Sequence, residues 1–502
     1  MELLKKSLLY QLKGEITNMN VDMSASNGST IAENNVRTVP IIVSFLIAGF
    51  IGLFSETALN MALNGLITDF GITETTVQWL TTGYLLTLGI LVPVSGLILQ
   101  WFTTRQLFIT SLIFSIIGTF IAALAPTFTV LMIARVVQAV GTALLLPLMF
   151  NTILVLIPPQ NRGKVMGIMG LVISFAPAVG PTISGLILKT LTWHWIFWVS
   201  LPLLVVAIVF GSFYMQNVTT PTKPKIDILS ILLSTIGFGG IVYGFSNTGE
   251  GGGWGSLEVI IALVAGVLGL LLFTIRQLTM KEPIMELRAF KYPMFVIGLI
   301  LIVIVMMVIL SSMILLPLYL QTVLALSTFT AGLLLLPGGI MNGILSPLMG
   351  GLFDKFGPKW LVIPGFVLVL ASLFGFATID LETSKGFIIG LLIVLMIGVS
   401  MIMMPAQTNG LNELPPELYP HGTAIMNTLQ QVAGAIGTAV AISLLASGSK
   451  NYLSNPVDEA NPLNPLLAFT EGLHRSFTFA IIVALIGLVL AFFVKRVKID
   501  YK

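Results

Sequence analysis

Apolar runs recur along the chain at about 39–64, 77–100, 106–125, 128–157, 164–189, 193–214, 227–246, 257–275, 295–320, 327–352, 360–379, 386–409, 422–446 and 476–494. A hydrocarbon core of about 30 Å takes about 20 residues of helix to cross. Lipid offers no partner to a bare amide, so runs of this length cross it as α-helices. The expected fold class is therefore an all-α polytopic membrane protein with 14 transmembrane helices and the lipid bilayer as its surroundings. Of 502 residues, 56% are hydrophobic and only 9% charged, against about 25% charged in a soluble domain. That leaves no length for a large soluble catalytic domain. With no cysteine and three histidines there is no disulfide framework, thiolate zinc site or rich metal site, and no cofactor is expected. A net charge of +3 spread along the chain argues for no nucleic-acid surface. The phosphate-binding pattern Gly-x-x-x-x-Gly-Lys-Ser/Thr does not occur, which speaks against ATP drive within the chain.

An even number of spans puts both termini on one side. Nineteen Lys and Arg fall on that side and four on the other, with Arg135 inside a span. The positive-inside rule makes the richer side cytoplasmic. Residues 4–16 have the spacing of a short surface amphipathic helix, or else lie upstream of a true start at Met19 or Met23.

The chain also repeats itself. Gly96 to Gln100, ending at Arg105, answers Gly350 to Asp354, ending at Lys359, at an offset of 254. Pro158-Pro159 before Gly163 answers Pro415-Pro416 before Gly422. Spans 1–6 thus correspond to spans 9–14, and spans 7 and 8 are an insertion. Parallel six-helix repeats are a known transporter architecture with the substrate site between them.

Glu56 is the one acid well inside a span, and intramembrane acids usually face a bundle interior or a cavity. Two readings are open: a proton carrier, or a protonated acid hydrogen-bonded as a structural plug. Arg135 lies at matching depth, about 10 Å from the outer face against about 12 Å for Glu56 at 1.5 Å per residue. Buried charges pair, so the two are expected to face one another or share a watery cavity. Asn60 and Gln138 lie near the faces of these two residues, where they can bind substrate or orient the pair. Trp79 and Phe175 are candidates to line a pocket, and Met306 and Met404 belong to methionine clusters suited to varied apolar ligands. The histidines stand at span ends or in loops and are read as structural.

Four stretches together resemble a known family. They are Ser55-Glu56-Thr57-Ala58-Leu59-Asn60, Gln78-Trp79-Leu80-Thr81-Thr82-Gly83-Tyr84, Arg135-Val136-Val137-Gln138-Ala139-Val140-Gly141 and Gly180-Pro181-Thr182-Ile183-Ser184-Gly185. In this order they resemble the 14-helix drug:proton antiporters of the major facilitator superfamily (EmrB/QacA type), and within them the lincomycin-resistance exporters. The resemblance implies a major facilitator fold of two six-helix bundles plus two extra helices. Its divisions would be a tail at 1–38, bundles at 39–214 and 295–494 around a linker with two helices at 215–294, and a tail at 495–502. It implies a monomeric, proton-coupled exporter of apolar or amphipathic drugs rather than an enzyme. An exporter of one endogenous metabolite is the alternative. By the same resemblance Gly180 and Pro181 form a hinge or seal, and Asp354, Lys355 and Lys359 help to gate the cytoplasmic side. Two residues depart from the pattern. The family's span-1 acid aligns with Ser55, one position before Glu56, and Gln100 replaces the acid of the first gating motif. A one-sided latch is therefore expected.

Overall fold

The computed structural model describes residues 38–72, 74–249, 253–454 and 461–497. Among the described residues, fourteen helices are each long and apolar enough to cross a membrane. They are α1 Thr38–Ala58, α2 Glu74–Trp101, α3 Thr104–Ala123, α4 Phe128–Leu156, α5 Arg162–Leu188, α6 His194–Tyr214, α7 Ile228–Ser246, α8 Leu257–Thr279, α9 Pro293–Thr322, α10 Thr328–Phe356, α11 Lys359–Phe376, α12 Lys385–Asn412, α13 Tyr419–Ser454 and α14 Asn464–Ala491. The described residues contain no strand. The amphipathic segment expected over 4–16 lies outside the described residues.

Helix starts follow capping chemistry, because the first amides of a helix have no partner inside it. Thr103, Thr127, Asp227, Ser327 and Ser384 each accept a backbone N–H at the start of α3, α4, α7, α10 and α12. Ends differ from the apolar runs in several places, α13 running on to Ser454 past the run that ends at 446, and two of them have a local cause. The first run breaks at Leu59–Ala62, a 3-10 turn, before a short helix Leu63–Phe70 that stops at the left-handed Gly71. The last run begins earlier than its hydropathy, at Asn464, because Pro465 occupies the first turn and Arg475 pairs with Glu471 one turn back at 3.2 Å. Such an amphipathic start is invisible to a hydropathy window.

The two halves pack alike. In the first, α3 and α2 pack on α4, α1 on α5 and α6, and α3 on α6; in the second, α11 and α10 pack on α12, α9 on α13 and α14, and α11 on α14. The halves meet along two seams, α5 against α10 and α2 against α13, which the repeat makes counterparts. Helices α7 and α8 pack chiefly on each other, and α7 also lies on α2 and α13. One end of the molecule carries the Lys- and Arg-rich α8–α9 connection and the first turn of α5 with Arg162 and Lys164; it is termed the basic end.

Candidate functional site

Arg135 on α4 is 1% exposed, and its surroundings explain how a guanidinium is tolerated there. Nη1 donates to the Ser55 carbonyl of α1 and to Gln138 Oε1, both at 3.1 Å. Its flat face lies 4.2 Å from the Tyr84 ring centre, a cation–π contact from α2. Gln138 Nε2 donates to Thr119 Oγ1 at 2.8 Å, and Tyr84 O–H meets Thr142 Oγ1 at the same distance. Beside this network a void of about 10 Å³, lined by Ser55, Ser115, Thr119 and Thr142 among others, has room for about one water. Arg135 is thus bound to the residue next to Glu56. The side chains of Glu56, Asn60 and Pro181 lie outside the described part of the structure. Ser55, at the position of the family's usual acid, also meets Gln138 Nε2 through its hydroxyl at 3.4 Å.

The other sequence candidates scatter. Gly180 sits where a Cβ would strike Thr57, so α5 touches α1 one residue beyond Glu56. Phe175 tilts against Phe50 at 6.4 Å and lies on Gly343 at the α5/α10 seam. Met404 is buried beside Gly170 of α5, and Met306 is half-buried against the core of the second half. Trp79 is not brought to Arg135: its ring packs on Tyr243 of α7 at 5.6 Å.

At the basic end Asp354 closes the α5/α10 seam. Its two oxygens accept the backbone N–H groups of Gly163 at 3.0 Å and Lys164 at 2.8 Å. A carboxylate on the first turn of a helix suits the partial positive charge there. Lys355 contributes its carbonyl, which with that of Asp354 receives the guanidinium of Arg496. Lys359 opens α11. The approach depends on glycine, since a Cβ on Gly163 would lie 2.5 Å from the Gly350 carbonyl and from Asp354 Oδ1.

Sequence reasoning missed Arg162. It is buried, anchored in its own half by the Leu154 and Ile157 carbonyls, and it reaches the other half at Asn412 Oδ1 (2.8 Å) and the Tyr419 hydroxyl (3.1 Å). The proline pairs align Arg162 with Tyr419, so the repeat gave a pointer: two first residues of corresponding helices meet across the axis.

A family model described as Major Facilitator Superfamily matches residues 45–438. The chain belongs to the Major Facilitator Superfamily. It is therefore a multi-pass membrane transporter rather than an enzyme. It is 66% identical to the lincomycin resistance protein LmrB of Bacillus subtilis, over 94% of this chain and 98% of that one. To the protein of the same name from Listeria monocytogenes it is 63% identical, over 92% and 98%. Among solved structures, the proton:xylose symporter XylE bound to 6-bromo-6-deoxy-D-glucose superposes with a TM-score of 0.64 at 15% identity, covering 91% of this chain and 96% of that one. That likeness concerns the fold alone. Within this superfamily fold, the Arg135 network lies inside the first half, whereas Asp354 and Arg162 join the halves at the basic end.

Proposed function

We propose that the protein is a proton-coupled exporter of apolar or amphipathic drugs, lincosamides, dyes and cations among them, working as a monomer by alternating access. The basic end faces the cytoplasm. The observation that carries the reading is the buried Arg135, bonded to α1 at the residue beside Glu56. An arginine there holds a counter-charge for an ionised Glu56, and interhelical pairing of this kind is where intramembrane charges do their work. The relatedness to lincomycin resistance proteins supports the substrate class.

In this reading ionised Glu56 pairs with Arg135 or with a cationic drug while the site faces inward. Outward exposure then delivers a proton, which neutralises Glu56 and frees the drug. The neutral form returns at lower desolvation cost and gives its proton to the cytoplasm. Asn60, Gln138, Phe175, Met306 and Met404 contribute to the drug's path, and Trp79 takes part through α7. Gly180, beside Thr57, and Pro181 bend or seal α5 where it meets α1.

The test uses inverted vesicles loaded with drug uptake as the readout and only a pH gradient as the drive. Glu56→Gln at wild-type expression should abolish accumulation while keeping exchange of neutral drug. Accumulation at the wild-type rate would refute proton coupling through Glu56. Ser55→Asp combined with Glu56→Ser asks whether a carboxylate at the Ser55 position, which already faces Gln138, restores a measurable part of it.

A further inference from the structure

The counterpart of Asp354 at the other seam is Gln100, and it also finds a partner. Gln100 Nε2, at the end of α2, lies 3.2 Å from His421 Nε2 in the first turn of α13. By the 257-residue offset of the proline pairs, His421 stands where Lys164 stands on α5. The hydrogen-bond directions here are determined by the neighbours. His421 Nδ1 lies 3.1 Å from the Ile284 carbonyl, which only accepts, so Nδ1 carries the ring proton. Nε2 is then an acceptor. Gln100 Nε2 donates to the Gly96 carbonyl at 3.0 Å, which fixes the amide nitrogen on the side of His421. The amide therefore donates to the imidazole, and the contact requires His421 to be neutral.

A second proton on the ring would set N–H against N–H at the centre of the seam. Rotating the amide does not help, because its oxygen would then face the Gly96 carbonyl. His421 is 8% exposed in the closed seam. The charged groups that act on it are Glu286 and Arg288, from the segment between α8 and α9, and these pair with each other. No charge comes from α2 at this contact, where Gln100 and Gly96 are the neighbours. The linker before α7 lies on the α2 side, with Thr222 and Lys223 donating to the Gln100 carbonyl and Trp101 Nε1 donating to the Pro224 carbonyl. The segment after α8 lies on the α13 side through Ile284. Parting the seam breaks the Gln100–His421 contact, while the two linkers stay joined to each other by the Lys225 N–H donating to Glu282 at 3.2 Å.

We propose that His421 is a proton-binding site that gates the α2/α13 seam: the basic end closes there only around the neutral imidazole, and protonation holds the seam open. For the export cycle this adds a brake, since an acid cytoplasm retains the inward-facing form. That consequence rests on the function proposed above, whereas the gate itself does not.

The chain has no cysteine, so spin labels can be placed at will. Phe102→Cys and Glu417→Cys, both exposed and flanking the seam, report its width by electron–electron double resonance in lipid nanodiscs. Because the open seam leaves the imidazole in water and the closed seam excludes its charged form, the ratio of open to closed populations should rise about tenfold from pH 7.5 to 5.5. His421→Gln accepts and donates at the same places without titrating, so its profile should be flat. Gln100→Glu offers a carboxylate to the protonated ring and should reverse the trend, closing the seam in acid. A wild-type profile that is flat, or one that survives His421→Gln unchanged, overturns the proposal. In a Glu56→Gln background the part of the profile that His421→Gln removes should persist; if Glu56→Gln alone removes the whole response, the titrating group is Glu56 and the gate is refuted while proton-coupled export stands. Drug accumulation by Glu56→Gln would instead defeat the proposed function and leave this gate intact.

Discussion

The two seams are counterparts in the repeat and yet are built from different chemistry. Along α5/α10 the backbones touch from end to end. Gly163 meets Gly350, Gly167 meets Ser346, Gly343 meets Phe175, and at the far end Gly185 and Lys189 lie on Phe329. A carboxylate caps the helix at the basic end. Along α2/α13 the close approach is confined to the basic end, where Gly96 meets Ala424 and Pro420. Further along, α7 takes over: Val242 sits on Gly89, Tyr243 on Trp79, and Trp254 from the α7–α8 connection bonds Ser443 of α13. Small residues let helices approach where lipid gives no hydrophobic drive for association. One seam is therefore rigid and charge-capped, and its counterpart is short, neutral at its latch and buttressed by an inserted helix. A duplicated fold can thus assign sealing to one interface and adjustability to the other.

The sharpest way to break this contrast is to add the same side-chain bulk to each seam. Gly163→Ala should collapse the α5/α10 seam, because the new Cβ meets a backbone carbonyl at 2.5 Å that cannot move aside. Overpacking of this kind costs about 1–3 kcal/mol or more, and transport should be lost. Gly96→Ala meets the Ala424 Cβ at 3.2 Å and the Pro420 carbonyl at an ordinary 3.4 Å, and should cost about 1 kcal/mol or less with transport kept within about threefold. Thermal unfolding in detergent and vesicle transport measure both. Equal losses at the two sites would remove the asymmetry.

Next in size is the cap itself. Asp354→Asn keeps an oxygen for one N–H and removes the charge that favours the start of α5. A charge at a helix terminus is worth about 0.3–1 kcal/mol and up to about 2 in partly buried geometry. The maximal transport rate should fall about three- to tenfold, with resting drug affinity changed less than twofold, since a tenfold factor is about 1.4 kcal/mol. A wild-type rate would show that hydrogen bonding alone closes this seam.

A smaller effect is expected where α7 leans on α2. Trp79→Ala removes an aromatic pair worth about 0.5–1.5 kcal/mol. It should speed amide exchange across Phe238–Ser246 while leaving α5 and α10 as they were. Exchange that rises equally in α5 would mean that α7 supports the whole molecule rather than one seam.

Much of this architecture was legible in the sequence, for identifiable reasons. Span number follows from bilayer thickness, and the pairing of the halves follows from the glycine and proline repeats. The nearness of Arg135 to the Glu56 region followed from matching depth alone, since depth is additive along a helix. Other features depend on which faces meet, and periodicity does not specify that. Trp79 belongs to a familiar stretch and yet turns to the inserted α7. Gln100 stood out as a departure from pattern, but its partner lies 321 residues away and answers no local rule. Arg162 follows two prolines in a loop, where its reach across the axis becomes visible only when the halves are assembled.

The smallest expected effect concerns how the inserted pair is tied down. Asp227 caps α7 by accepting the Ser230 N–H at 3.2 Å, and its carboxylate also receives the Arg276 guanidinium of α8 at 2.6 Å. Arg276 chiefly, with help from Ser230 and against a burial cost, holds this carboxyl well below the usual carboxylate range. A folded-state pKa below the unfolded value of about 3.9 means that the ionised form favours folding. Its contribution is full above about pH 4 and drains away as pH falls toward the lower folded value. Asp227→Ala loses the cap, worth about 1 kcal/mol, and should lower the unfolding temperature at pH 7 by a few degrees with transport nearly unchanged. The gap between variant and wild type should narrow at pH 3. A gap that stays constant would mean that packing of α7 on α8, rather than the ionised cap, secures the helix that buttresses the adjustable seam.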